Sequence, residues 1–199
     1  MKKSLLAFAI LCTLAGCSAP APSLHSLIPA EQTIATPDLS GAWVEEEDQP
    51  ENASPLVWIF EKQKDHQYNL TVQIPDDEAS FVFSVRVARL GGYSFIDGVL
   101  KQATGRGKDI DTAGLWIPVH YFGRIDVAQD EIHIRLLSAD WLEKASTDGH
   151  TNLGYERLDD DKLLVAPTAD LQNFAIQYGS DEEAFSFTYN LSRQKQPSH

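Results

Sequence analysis

Between residues 39 and 193, apolar and polar side chains alternate with a period of two over most of the length, which makes strands rather than helices the building unit. Leu70, Val72 and Ile74 alternate with Asn69, Thr71 and Gln73. After the turn sequence Pro75-Asp76-Asp77-Glu78, Phe81, Phe83, Val85 and Val87 resume the alternation. Pairing Ile74 with Phe81, Val72 with Phe83 and Leu70 with Val85 places every apolar residue on one face of an antiparallel hairpin. Gly91-Gly92 marks the next tight turn, and the strand that follows, from Tyr93 to Leu100, sets Asp97 opposite Arg86. Leu115, Ile117, Val119, Tyr121 and Ile125 continue the pattern. Ile132, Ile134 and Leu136 return across a turn near Ala128-Gln129, with Ile132 opposite Ile125. Neighbouring strands therefore follow sequence order, as in a meander.

Two segments break the alternation. Asp140-Trp141-Leu142-Glu143 has the capping-box arrangement and starts a short helix. From Thr168 to Tyr178, Leu171, Phe174, Ala175 and Tyr178 recur at helical spacing, with Pro167 before them and Gly179 after. A last strand runs from Ala184 to Ser192. The expected fold is all-β: an antiparallel up-and-down barrel with one late amphipathic helix, since closure removes the exposed edges of a long meander. About 155 residues suit one domain with its own core.

The N-terminus carries a different signal. Lys2 and Lys3 precede an apolar run from Leu5 to Leu14 that is too short to span a bilayer, the layout of an export signal. Leu14-Ala15-Gly16-Cys17 resembles the bacterial lipobox, which implies cleavage before Cys17 and acylation of Cys17. Two or three acyl chains hold a protein to a membrane where one would hold it marginally. The alternative is an ordinary secretory signal with an unrelated cysteine. In Gram-negative bacteria Asp after the lipidated cysteine is the familiar inner-membrane retention signal, so Ser18 points to an outer-membrane anchor with the domain in the periplasm. The sequence divides into a signal peptide (1–16), a lipidated flexible tether (17–37), the barrel domain (38–193) and a tail (194–199).

Processing would take the formal net charge from -13 to about -15. Such a surface is repelled by nucleic acid and by anionic headgroups, leaving the lipid as the link to the membrane. Cys12 would leave with the signal and Cys17 would be blocked, so no disulfide, redox pair or thiolate metal site is available.

Leu39-Ser40-Gly41-Ala42-Trp43, at the start of the first strand, resembles the G-x-W motif of lipocalins, here Gly41 and Trp43. The order of a strand at 162–166, a helix and a short final strand is also similar to the lipocalin C-terminus. The resemblance implies an eight-stranded barrel with Trp43 packed across its closed end, a small ligand inside, and an outer-membrane lipoprotein. The Arg that the family commonly stacks on this Trp, at the end of the strand before the helix, has no counterpart at Leu164-Val165-Ala166-Pro167. Arg193 is the candidate to replace it.

Catalytic motifs are absent: Gly92-Tyr93-Ser94-Phe95-Ile96 lacks the closing glycine of a nucleophile elbow, and there is no P-loop and no H-E-x-x-H. The reading is of a protein that is not an enzyme and needs no cofactor. In the expected register His133 faces Arg124, and His120 lies about 13 Å along the strand, too far to share a zinc. Both alternate with the apolar set and point outward, as solvent-facing histidines. The acidic clusters at 45–48, 76–78 and 159–161 lack calcium-loop spacing and read as solvated turns. Trp58, Phe60 and Tyr68 form a cross-strand aromatic cluster that is core or cavity lining. The inward set is nearly all apolar, so the expected ligand is a fatty acid or lysolipid, with Val72, Phe83, Val85, Val119, Tyr121 and Ile134 as its contacts. The competing reading is an envelope interaction or structural protein with a filled barrel.

Overall fold

The structure is a computed structural model that describes residues 19–34, 38–45, 54–105, 108–109, 118–158 and 161–194. Its strands are β1 (Gly41–Glu45), β2 (Val57–Lys62), β3 (Tyr68–Ile74), β4 (Ala79–Leu90), β5 (Tyr93–Gly105), β6 (Lys108–Asp109), β7 (His120–Val127), β8 (Glu131–Leu136), β9 (Tyr155–Leu158), β10 (Asp161–Leu164) and β11 (Phe187–Arg193). The helices are α1 (Ala139–Thr147) and α2 (Thr168–Tyr178). Each of β1 to β5 pairs with the next, β7 pairs with β5 and β8, and β11 joins β8 to β1. The result is a closed antiparallel barrel of eight strands, with β6 a two-residue appendage on β5.

Alternation sets the faces, and turn chemistry sets the register. Arg86 lies opposite Asp97, as the Gly91-Gly92 turn implies. The β3–β4 hairpin is shorter than expected, because Pro75–Asp77 forms a single 3-10 turn and Glu78 takes a left-handed conformation (φ 51°). Val72 therefore faces Phe81 and Leu70 faces Phe83, a slip of two residues that keeps every side chain on its expected face. The same holds for β7–β8, where Ile134 rather than Ile132 faces Ile125.

The interior of the barrel is one core, which includes Phe60, Tyr68, Leu70, Val72, Val85, Val87, Ile96, Ile125 and Ile134. A second core lies outside the barrel. Ala88, Phe95 and Phe122 project from the outer wall and are covered by α1, α2, the 184–185 turn and residues of the N-terminal segment, among them Ala21, Leu27 and Ile28. The helix at 168–178 occupies its expected bounds. The other helix starts earlier than expected, because the Ser138 side chain accepts from the Trp141 backbone N–H, and Glu143 is engaged with Arg157 and Lys162 instead of capping.

Two expectations are corrected here. The strand near 162–166 is not a barrel strand: β10 forms a two-stranded sheet with β9, and both helices fall between the seventh and eighth barrel strands, so β11 is the eighth. The described part of the expected tether, residues 19–34, is not a free linker. The Ala21 N–H donates to Leu137 O (2.8 Å), Ser23 and His120 exchange backbone hydrogen bonds (2.8 and 2.7 Å), and the Leu24 N–H donates to Leu164 O (2.8 Å). Four of its residues, Ala21, Ser23, Leu27 and Ile28, are buried.

Candidate functional site

One end of the barrel is sealed. Trp43 is fully buried, and its indole N–H donates to Leu39 O at 2.8 Å. The Arg193 guanidinium lies over the ring, 4.2 Å from its centroid, and donates to Ser40 O at 3.1 Å. Gly41 explains itself here: its φ is +121°, and a Cβ would sit 3.1 Å from Arg193 Nη1. Arg193 thus closes the end from the last position of the eighth strand, as the sequence layout suggested.

The opposite end is hollow. A cavity of about 90 Å³ lies in this half of the barrel. Its walls come from β3 and β4 (Leu70, Val72, Phe81, Phe83, Val85), from β5 and β7 (Ile96, Gly98, Tyr121), and from β8, β11 and β2 (Ile134, Leu136, Tyr189, Trp58). Pro20 of the N-terminal segment completes the lining. Alternation explains why these side chains meet: each stands on the inward face of its strand. The lining is almost wholly apolar, so it would hold hydrocarbon and give poor grip on a sugar or an ion. One buried polar atom breaks the pattern, because the Trp58 indole N–H has no hydrogen-bond partner among the described residues.

No protein-family model, no curated protein and no solved structure matches this chain. The site is therefore read from its own chemistry.

Of the residues expected to touch a ligand, Val72, Phe83, Val85, Tyr121 and Ile134 line the cavity. Val119, half-buried just before β7, does not. Cys17, Leu115 and Ile117 lie outside the described residues. Trp58 and Tyr189, which the pairing of inward faces did not bring together in the sequence, have ring centroids 4.8 Å apart. Phe60 meets Tyr68 edge-on at 6.3 Å, as the expected aromatic cluster requires. Trp58 leaves that cluster for Tyr189, because β11 closes beside β1 and only a non-local pairing reveals it.

His120 is corrected. It points outward, but it is not solvent-facing: its side chain is 16% exposed and Nδ1 lies 2.7 Å from Asp97 Oδ1. Asp97 is itself buried, and its other oxygen accepts from Ser26 Oγ (2.7 Å) and from the Ile28 N–H (2.9 Å). Ser26 binds the carboxylate and not the imidazole, so the three residues do not form a nucleophilic relay. They fasten the N-terminal segment to the wall. His133 faces Asp126, which puts it six positions from His120 along β7, about 20 Å at ~3.3 Å per residue. Among the described residues, no group of three His, Cys, Asp or Glu side chains is placed to hold a metal ion. No helix among them is long and apolar enough to cross a membrane.

Proposed function

We propose that this chain is a cell-envelope lipoprotein, anchored by acyl chains on Cys17, whose barrel binds a single-chain apolar ligand such as a fatty acid or lysolipid. The observation that carries the reading is the almost wholly apolar hollow at one end of the barrel. The size of the hollow narrows the ligand. A volume of about 90 Å³ is well below the ~300–1,000 Å³ of sites that enclose a drug-sized molecule, which favours part of one slender chain over a bulky ring system.

The lipocalin resemblance supports the same reading. Trp43 is buried at one end of the barrel with Gly41 beside it, and Arg193 stacks on its ring from the end of the eighth strand. The family's arginine before the helix is still without a counterpart, and Arg193, which follows both helices, takes the place over Trp43 instead. Ser18 supports an outer-membrane anchor, with the barrel in the periplasm.

The test uses the unlipidated Cys17→Ala protein, titrated with a fluorescent long-chain fatty acid. Saturable binding is expected. It should be lost in Val85→Lys, and also in Gly98→Leu, whose added side chain would extend from a Cβ that sits 3.6 Å from Val85 Cγ2 and fill the hollow without a charge. Circular dichroism of both variants reports whether they fold. An absence of saturable binding to the Cys17→Ala protein would favour a filled barrel that serves as an envelope interaction protein.

A further inference from the structure

We propose that the barrel stands with its hollow end on the membrane that anchors it, and draws its lipid from that leaflet without passage through bulk water. This rests on the reading that Cys17 is acylated and the barrel binds lipid. Three observations carry the orientation. First, the N-terminal segment joins the barrel at the hollow end: Pro20 bridges to Ser138 just past β8 and forms part of the cavity wall. Second, the attachment is tight. The Ala21 N–H donates to Leu137 O at 2.8 Å and the Ala139 N–H to Ala19 O at 2.9 Å, so the chain is already fixed at Ala19. Third, only Ser18 separates Ala19 from Cys17, a reach of at most about 7 Å.

The short reach decides the geometry. A free tether of the whole 17–37 stretch would spread over roughly 25 Å and would leave the domain free to tumble. With one intervening residue, the lipid attachment stays beside the cavity mouth, while the Trp43–Arg193 seal faces away from the bilayer. A chain leaving the leaflet then meets apolar wall at once, and its methylenes are not exposed to water on the way.

The charge of this end selects the surface. The β3–β4 turn, at the hollow end, presents Asp76, Asp77 and Glu78 to solvent. The Asp76 carboxyl is held below the usual range by the Ser54 backbone N–H, so it stays ionised at neutral pH. Such a turn suits a zwitterionic leaflet and is repelled by an anionic one over about one Debye length, ~10 Å at moderate salt.

The mature chain has no cysteine besides Cys17, so a fluorophore can be placed at Asp77→Cys, at the hollow end, or at Gln63→Cys, at the sealed end. The lipidated protein is set in phosphatidylcholine vesicles that carry a headgroup quencher, and its mass is measured to establish the acyl chains. Quenching should be at least about fivefold stronger at position 77 than at position 63. Inserting about twelve Gly/Ser residues between Ser18 and Ala19 should abolish that difference and slow transfer of a fluorescent fatty acid from vesicle to barrel about fivefold or more. Equal quenching at both positions in protein of the acylated mass overturns the orientation. Unchanged transfer after the insertion overturns the direct route. A mass without acyl chains overturns the anchor, and with it this proposal, while failure of the Cys17→Ala protein to bind fatty acid overturns the ligand reading and the direct route and leaves the orientation to the quenching result.

Discussion

Trp43 and His120 illustrate how much a single side chain is worth when it holds two parts of the chain together. Trp43 fills the sealed end, so Trp43→Ala should cost about 3–5 kcal/mol, read as a fall in denaturant midpoint. His120→Ala should cost less but not nothing, about 1–3 kcal/mol, because it strips one oxygen of the buried Asp97 of its imidazole. His133→Ala, at a side chain 46% exposed, is the control and should leave the midpoint almost unchanged. If His120 and His133 behaved alike, the Asp97 clamp would be an idle contact. Trp43 was legible in the sequence because a motif surrounds it. His120 was not, because period-two alternation reports only which side of the sheet a residue faces, and the layer covering that side comes from residues 19–28, far away in the chain.

Among the elements, β7 and α1 carry consequences of their own. Gly123 lies on the inward face of β7, where a Cβ would fall 2.1 Å from Arg135 O and 2.6 Å from Leu136 Cα. The strands approach too closely for any side chain, so Gly123→Ala should part β7 from β8. We expect a lower midpoint together with faster amide exchange in β8 than in β3, whereas uniform exchange would place the strain elsewhere. Helix α1 is tied to the β9–β10 hairpin through Glu143, which pairs with Lys162 at 2.9 Å and with Arg157. These partners, Lys162 foremost, hold the Glu143 carboxyl below the usual range. A depressed carboxylate contributes stability above its unfolded value and loses it as pH falls through the folded one. The wild type should therefore exceed Glu143→Gln in stability at neutral pH, and the two should converge in acid. The barrel strands and the second helix were legible because each shows its face by period. The two-residue slips at β3–β4 and β7–β8 were not, since parity is unchanged by them and only the turn conformation decides. The outer core had a visible sign: Phe95-Ile96 and Tyr121-Phe122 place apolar groups on both faces of a strand, as in a sheet covered on both sides.

At the scale of the whole molecule, the proposed lipid binding carries a length limit set by the hollow. Affinity for a series of fatty acids should rise about fourfold per added methylene, following ~0.8 kcal/mol for each buried CH₂, and then level off once the cavity is full. Isothermal titration across the series locates that plateau, and a rise that never levels would mean that the chains coat the surface instead. The fixing of residues 19–34 has another consequence, for the order in which the chain assembles. Their partners include Leu164, Thr168 and Gln172, and the barrel itself closes only when β11 reaches β1. Residues 19–34 thus have no complete seat until nearly the last residues of the chain have emerged. Contacts at such sequence separation make closure slow, in the millisecond-to-second range typical of β-sheet topologies. A chain cut short before 164 would lose its eighth strand and also set its own beginning loose.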